Sequence, residues 1–103
     1  MSNENDLSST YTIPIGKEVA ILRTLLNCTQ QKFANLLLVS RVTVSKLEQG
    51  TDINILTPDI AFRLYYVTQK IISNQYKESY VIEQAKTLQN RVDAFLQGRI
   101  NTK

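Results

Sequence analysis

The feature that most constrains this chain is a pair of very short helices joined by a minimal turn. Thr29 and Ser40 lie eleven residues apart, and the hydroxyl of each can cap the N-terminus of a helix. The helices that they predict cover residues 30–37 and 41–49, and Gly50 can end the second in a left-handed conformation. No segment alternates apolar and polar residues as a β-strand does. We therefore expect an all-α fold that contains this pair.

Further helices are predicted on both sides of the pair. Upstream, residues 16–26 carry apolar side chains at helical spacing. Downstream, Thr57 and Pro58 form a strong helix start, and no residue that breaks a helix follows until Gly98. The sequence therefore predicts a small five-helix domain whose last element is an extra amphipathic helix.

The forty residues after Thr57 allow two interpretations. The apolar positions are interrupted between residues 73 and 78, which favours two helices at 58–73 and 79–97. One continuous helix of about 60 Å is the alternative, because each helical residue adds about 1.5 Å. The two interpretations differ in whether the last helix can fold back on the rest of the chain.

The composition excludes most catalytic chemistry. The chain has no His and one Cys, Cys28, so it lacks a Ser/His or Cys/His nucleophilic pair, an intramolecular disulfide and the ligands of a zinc finger. We expect no enzymatic activity, no metal and no cofactor. A lone Cys fits a reducing compartment, and no apolar run approaches the ~20 residues that span a bilayer, so we expect a cytoplasmic protein.

The third predicted helix, residues 41–49, has two different faces. On a helical wheel Thr43, Val44 and Leu47 lie on one side. The other side carries Arg41, Val42, Ser45, Lys46 and Gln49. Arg and Lys can donate to guanine O6 and N7 in the major groove, and a branched apolar side chain can contact a thymine methyl. Taken alone, such a face is also what a solvated helix surface looks like, so its sequence context decides between the two interpretations.

That context resembles the helix-turn-helix of the phage-repressor and Cro family, also called the xenobiotic-response-element family of bacterial regulators. The similarity lies in Thr29-Gln30, Phe33-Ala34, Val39-Ser40 and the run from Val44 to Gly50. Upstream, Leu22-Arg23 fits the first helix of the family, and the resemblance covers about residues 16–72. It implies sequence-specific binding of double-stranded DNA by a small transcriptional regulator, with helix 41–49 in the major groove. It favours a repressor, but an activator could dock on DNA in the same way.

The resemblance also implies roles for individual residues. Base readout would fall on Arg41, Val42, Thr43, Ser45 and Lys46. Contacts to phosphate would fall on Thr29, Gln30, Ser40 and Gln49. A structural ion pair would join Arg23 to Glu48, which would neutralise an acid close to a surface that binds phosphates.

One position departs from the family. Leu38 stands in the turn where the family usually has glycine, and a left-handed conformation costs a residue with a side chain roughly 1–2 kcal/mol. The turn is therefore expected to carry strain or to be built differently. Ala34 fits the family because two helices that cross closely leave space for a small side chain only.

We divide the chain into a disordered tail at 1–12, a helix-turn-helix domain at 13–75 and a C-terminal helix and tail at 76–103. A regulator of this kind is expected to bind an inverted-repeat operator as a homodimer, because one recognition helix reads few base pairs. The apolar heptad positions of the last helix predict a dimer seam of Val81, Ala85, Leu88, Val92 and Phe95. Packing of the same positions within one chain is the alternative.

A second class of function also fits the last helix. An antitoxin-like or other helical protein-interaction module would use the same apolar stripe to bind a partner protein. Many antitoxins also bind DNA, so the two functions are compatible.

Overall fold

A computed structural model describes residues 15–50, 53–74 and 77–101, and the predicted tail at 1–12 lies outside this part of the chain. We label the helices α1 (residues 15–25), α2 (Gln30–Leu37), α3 (Arg41–Gln49), α4 (Pro58–Ile72) and α5 (Ser79–Asn101), with a 3-10 turn at Ile53–Ile55. The described residues contain no strand. The all-α, five-helix prediction is therefore confirmed.

The predicted helix caps are present. The hydroxyl of Thr29 accepts a hydrogen bond from the backbone N–H of Lys32, and that of Ser40 accepts one from the N–H of Thr43. Gly50 ends α3 at φ 70°, in the left-handed region. Because these signals are local, α2 and α3 begin and end at the residues that the sequence predicts.

The helix is interrupted between α4 and α5, which excludes the single continuous helix. α4 ends at Ile72 and α5 begins at Ser79. The predicted end of α5 at residue 97 is wrong, because the helix continues through Gly98 to Asn101. A glycine inside a helix costs only about 1 kcal/mol relative to alanine, which does not by itself end the helix.

All five helices share one hydrophobic core. The side chains that are fully enclosed include Val19 and Leu22 of α1, Phe33 of α2, Val44 of α3 and Leu64 of α4. α5 adds one side of its length to the same core, and its most buried residues are Val81, Ala85, Leu88, Val92 and Leu96.

This packing corrects the predicted dimer seam. Val81, Ala85, Leu88 and Val92 are at most 2% exposed in a single chain, and Phe95 is half-buried against the same core. α5 lies along α4 and buries its stripe there. Because these positions are buried in the folded chain, neither a second copy nor the partner protein of the antitoxin-like alternative can contact them.

Candidate nucleic-acid interface

The outer face of α3 is exposed and carries no acid. Arg41, Val42, Lys46 and Gln49 are exposed, and Ser45 is half-buried between them. Val44 and Leu47 on the opposite side are buried in the core and fix how the helix is rotated. The structure thus brings four of the five predicted base-readout residues to one surface.

Thr43 is the predicted readout residue that the structure places differently. It is half-buried, and its hydroxyl lies 3.0 Å from the hydroxyl of Ser40. Its backbone N–H also donates to Ser40. Thr43 therefore helps to close the first turn of α3, at the edge of the exposed face.

The predicted ion pair between α1 and α3 is present. Arg23 donates from Nε to Glu48 Oε2 at 2.6 Å and from Nη2 to Glu48 Oε1 at 3.1 Å. Its Nη1 donates to the backbone carbonyl of Cys28, which precedes α2. The hydrogen bond that Arg23 donates to Glu48 raises the pKa of Arg23 above its usual value. Two-point geometry of this kind fixes the orientation of both side chains, so the C-terminal end of α3 is held against α1.

Gln30 links the same ion pair to the exposed face. Its amide nitrogen donates to Glu48 Oε1 at 3.0 Å, and its amide oxygen accepts from Arg41 Nη1 at 3.3 Å. Gln30 is the first residue of α2, so one side chain connects the start of α2 to both ends of α3. Its predicted contact with a DNA phosphate stays a prediction, because the structure shows the amide engaged within the protein.

The other predicted phosphate contacts surround the recognition surface. Thr29 and Ser40 are exposed at the N-termini of α2 and α3, where backbone N–H groups favour anions. Gln49 is exposed at the last position of α3, and its amide nitrogen lies 3.5 Å from the Ser45 hydroxyl. Ser40 and Gln49 thus stand at the two ends of α3, and Thr29 stands at the start of α2.

The sequence left two possibilities for the turn between α2 and α3, a strained left-handed leucine or a differently built turn. The structure shows the left-handed leucine. Leu38 has φ 62° and ψ 43°, which is left-handed, and its side chain is 78% exposed. Sequence reasoning missed the residue that supports this turn. Arg63 of α4 donates from Nη1 to the carbonyl oxygens of Leu37 at 3.1 Å and Leu38 at 2.8 Å.

Gly16 is a second positioning residue that sequence reasoning missed. It is buried at the start of α1, and a Cβ atom there would overlap the carbonyl oxygen of Leu47 near the end of α3. Only glycine lets the two backbones approach this closely. The last turn of α3 is therefore held by Gly16 on its backbone and by Arg23 on its side chain.

Within the described ranges, no group of three or more His, Cys, Asp or Glu side chains could hold a metal ion. No helix in this part of the chain is long and apolar enough to cross a bilayer.

Comparison with protein families gives a match in the middle of the chain. A family described as helix-turn-helix matches residues 19–64, which include α2, the turn and α3. Comparisons with curated proteins and with solved structures give no match. The matched segment contains the predicted caps and the predicted Arg23–Glu48 pair. Residues 19–64 therefore match a helix-turn-helix family, and the segment is similar to the phage-repressor and Cro type that is found in DNA-binding regulators.

Proposed function

We propose that this protein is a transcriptional repressor that binds a specific double-stranded DNA site, with α3 in the major groove. The observation that carries the proposal is the exposed face of α3, which carries no acid, while Glu48 near the end of the same helix is paired with Arg23. Repression needs only occupancy of a promoter, whereas activation needs a further contact with the polymerase. Its place of action would be the cytoplasm, where bacterial and phage promoters lie.

The side chains of this surface would form two groups, one that contacts base edges in the major groove and one that contacts phosphates. Arg41, Val42 and Lys46 would contact base edges, with Ser45 supporting them from its half-buried position. Thr43 lies at the edge of this face, so we assign it a supporting contact only. Thr29, Gln30, Ser40 and Gln49 would contact phosphates and set the orientation of the protein on the duplex.

Two copies would bind one operator. A helix of nine residues reaches too few base pairs to select a site in a genome, and a second copy on an inverted repeat supplies the rest. The described side chains of α5 complete the core of each copy, so α5 would contribute to this dimer only by stabilising the fold.

Selection from random double-stranded DNA at physiological salt tests the proposal. We expect enrichment of an inverted repeat with half-sites about 10 bp apart or a multiple of that distance. Retention without enrichment that vanishes as salt rises would contradict specific readout, because non-specific binding is dominated by phosphate contacts.

Alanine variants then separate the two classes of contact. Lys46→Ala and Arg41→Ala should each weaken binding to the selected site by about 1–3 kcal/mol and relax its sequence preference. Lys86→Ala removes the same charge as Lys46→Ala from an exposed position on α5 and is the matched control. An equal loss on selected and random duplexes would assign Lys46 or Arg41 to phosphate contacts.

A further inference from the structure

The outer face of α4 is aromatic and has no partner within the core. α4 buries Ala61, Leu64, Val67, Thr68 and Ile71. On the opposite side of the helix, Phe62 is 57% exposed, Tyr65 37% and Tyr66 63%. We call Phe62, Tyr65 and Tyr66 the aromatic face of α4. Neither the core nor the α3 surface accounts for three large rings at consecutive outward positions.

The apolar surface extends from α4 onto the end of α2. Leu36 is 53% exposed and lines an open groove together with Tyr66. The exposed Leu38 is held next to α4 by its backbone, because Arg63 donates to its carbonyl oxygen. Since an aromatic side chain presents about 150–250 Å² when fully exposed, these five side chains together present on the order of 500 Å². This area is at the upper end of what monomers expose in one patch, and such patches are often functional.

The charges at the two ends of the aromatic face are opposite. Asp59 stands in the first turn of α4, and its side chain is 72% exposed although it pairs with Arg63. Lys70 stands in the last turn, with its ammonium 5.4 Å from the centre of the Tyr66 ring. The two residues are eleven positions apart, which is about three helical turns, so they lie on the same side of α4.

We propose that the aromatic face of α4 binds a second copy of this chain through an antiparallel α4–α4 contact. A two-fold axis midway between Phe62 and Tyr66 places Phe62 on the partner's Tyr66. The same axis places Asp59 beside the partner's Lys70 at each end of the contact. Because a two-fold contact uses one surface twice, a surface that is apolar in the middle and oppositely charged at its ends is complementary to itself.

The exposed area fits this occupant. A standard protein interface buries about 800 Å² per partner, with an apolar centre and a polar rim. The aromatic face with Leu36 and Leu38 would form the centre, and Asp59 and Lys70 the rim. The inference rests on the proposed function in that it supplies the second copy on the operator, but the association itself requires no DNA.

Sedimentation equilibrium of the full chain without DNA tests the contact. We expect a reversible dimer whose dissociation constant rises about thirtyfold or more in Phe62→Glu, as for the loss of a central aromatic side chain at an interface. Tyr80→Glu is the matched control, because Tyr80 is also an exposed aromatic residue, 59% exposed, but stands on α5 and not on α4. Circular dichroism of both variants establishes that they are folded. A monomeric wild-type chain, or a dimer that Phe62→Glu leaves intact, would overturn the proposal.

A charge exchange tests the antiparallel pairing itself. Asp59→Lys and Lys70→Asp should each weaken the dimer, because each places like charges opposite one another. The double variant should recover most of the loss, since it restores an attractive pair with the signs reversed. Failure of the double variant to recover, with both single variants folded, would exclude this register.

DNA binding is measured separately on the selected operator and on an isolated half-site. Loss of the dimer in Phe62→Glu with half-site binding unchanged would support the contact and leave the proposed function in place. A wild-type dimer that fails to enrich any DNA sequence would support the contact while rejecting the function. A monomer that selects an inverted repeat would reject the contact alone.

Discussion

The α2–α3 pair and the α4–α5 pair hold together in different ways. α4 and α5 have 15 and 23 residues and pack along one continuous apolar stripe. α2 and α3 have eight and nine residues, and their relative placement depends on caps, a left-handed leucine and the polar groups of Arg23, Gln30 and Glu48. Buried apolar area holds the long α4–α5 pair together, whereas specific hydrogen bonds set the placement of the short α2–α3 pair. The half of the fold that would read DNA is therefore sensitive to single polar changes, whereas the other half responds to changes in volume.

The largest effect should come from a charge in the long pair. Leu88 is fully enclosed between α5 and the core, so Leu88→Lys buries an unpaired ammonium and removes the packing of a leucine. We expect loss of the folded state, seen as loss of the cooperative thermal transition. Folded but dissociated chains would instead restore the seam that the burial of Leu88 contradicts.

The next largest effect should come from a methyl group between α1 and α3. Gly16→Ala pushes a Cβ into the carbonyl oxygen of Leu47, and backbone has little freedom to move away. We expect a loss of about 3 kcal/mol in the free energy of unfolding, measured with urea. Gly98→Ala is the control, because a Cβ there meets nothing within 4 Å. It should stabilise the chain by up to about 1 kcal/mol, and equal effects of the two substitutions would contradict the close approach.

A smaller effect should follow from breaking the ion pair that supports the short pair. Glu48→Ala leaves Arg23 and Gln30 without their shared acceptor. We expect a loss of about 2 kcal/mol, since hydrogen bonds to charged groups contribute about 1.5–3 kcal/mol each when they are lost one-sidedly. A double-mutant cycle with Arg23→Met measures the coupling. Additive single losses would show that the bidentate contact contributes no coupling energy.

The smallest effect should be a gain. Leu38→Gly relieves a left-handed conformation that costs a side-chain-bearing residue roughly 1–2 kcal/mol. The greater freedom of glycine in the unfolded chain offsets about 0.5–1 kcal/mol of it, so we expect a net gain of up to about 1 kcal/mol by urea titration. If Arg63 is what tolerates the leucine, Arg63→Met should lose more stability with Leu38 than with glycine at this position.

These differences explain what the sequence predicts and what it does not. The bounds of α2 and α3 follow from Thr29, Ser40 and Gly50 because a cap acts within one turn of its own residue. The contacts of Arg63 with Leu38 and of Gly16 with Leu47 join residues 25 and 31 positions apart, and no periodicity records them. The dimer seam was wrong for a related reason, since a heptad stripe looks the same whether the helix opposite belongs to another chain or to its own.

Arg63 gives the two surfaces of this molecule a common support. The residue stands on α4 between Phe62 and Leu64, and its guanidinium holds the turn from which α3 begins. In a dimer joined through α4, the two α3 helices would be connected through the α4–α4 contact and, in each copy, through the hydrogen bonds from Arg63 to the turn before α3. The separation of the two α3 helices would then be fixed, so binding would depend strictly on the spacing between half-sites. A spacer lengthened by one base pair would rotate one half-site away from its α3 helix.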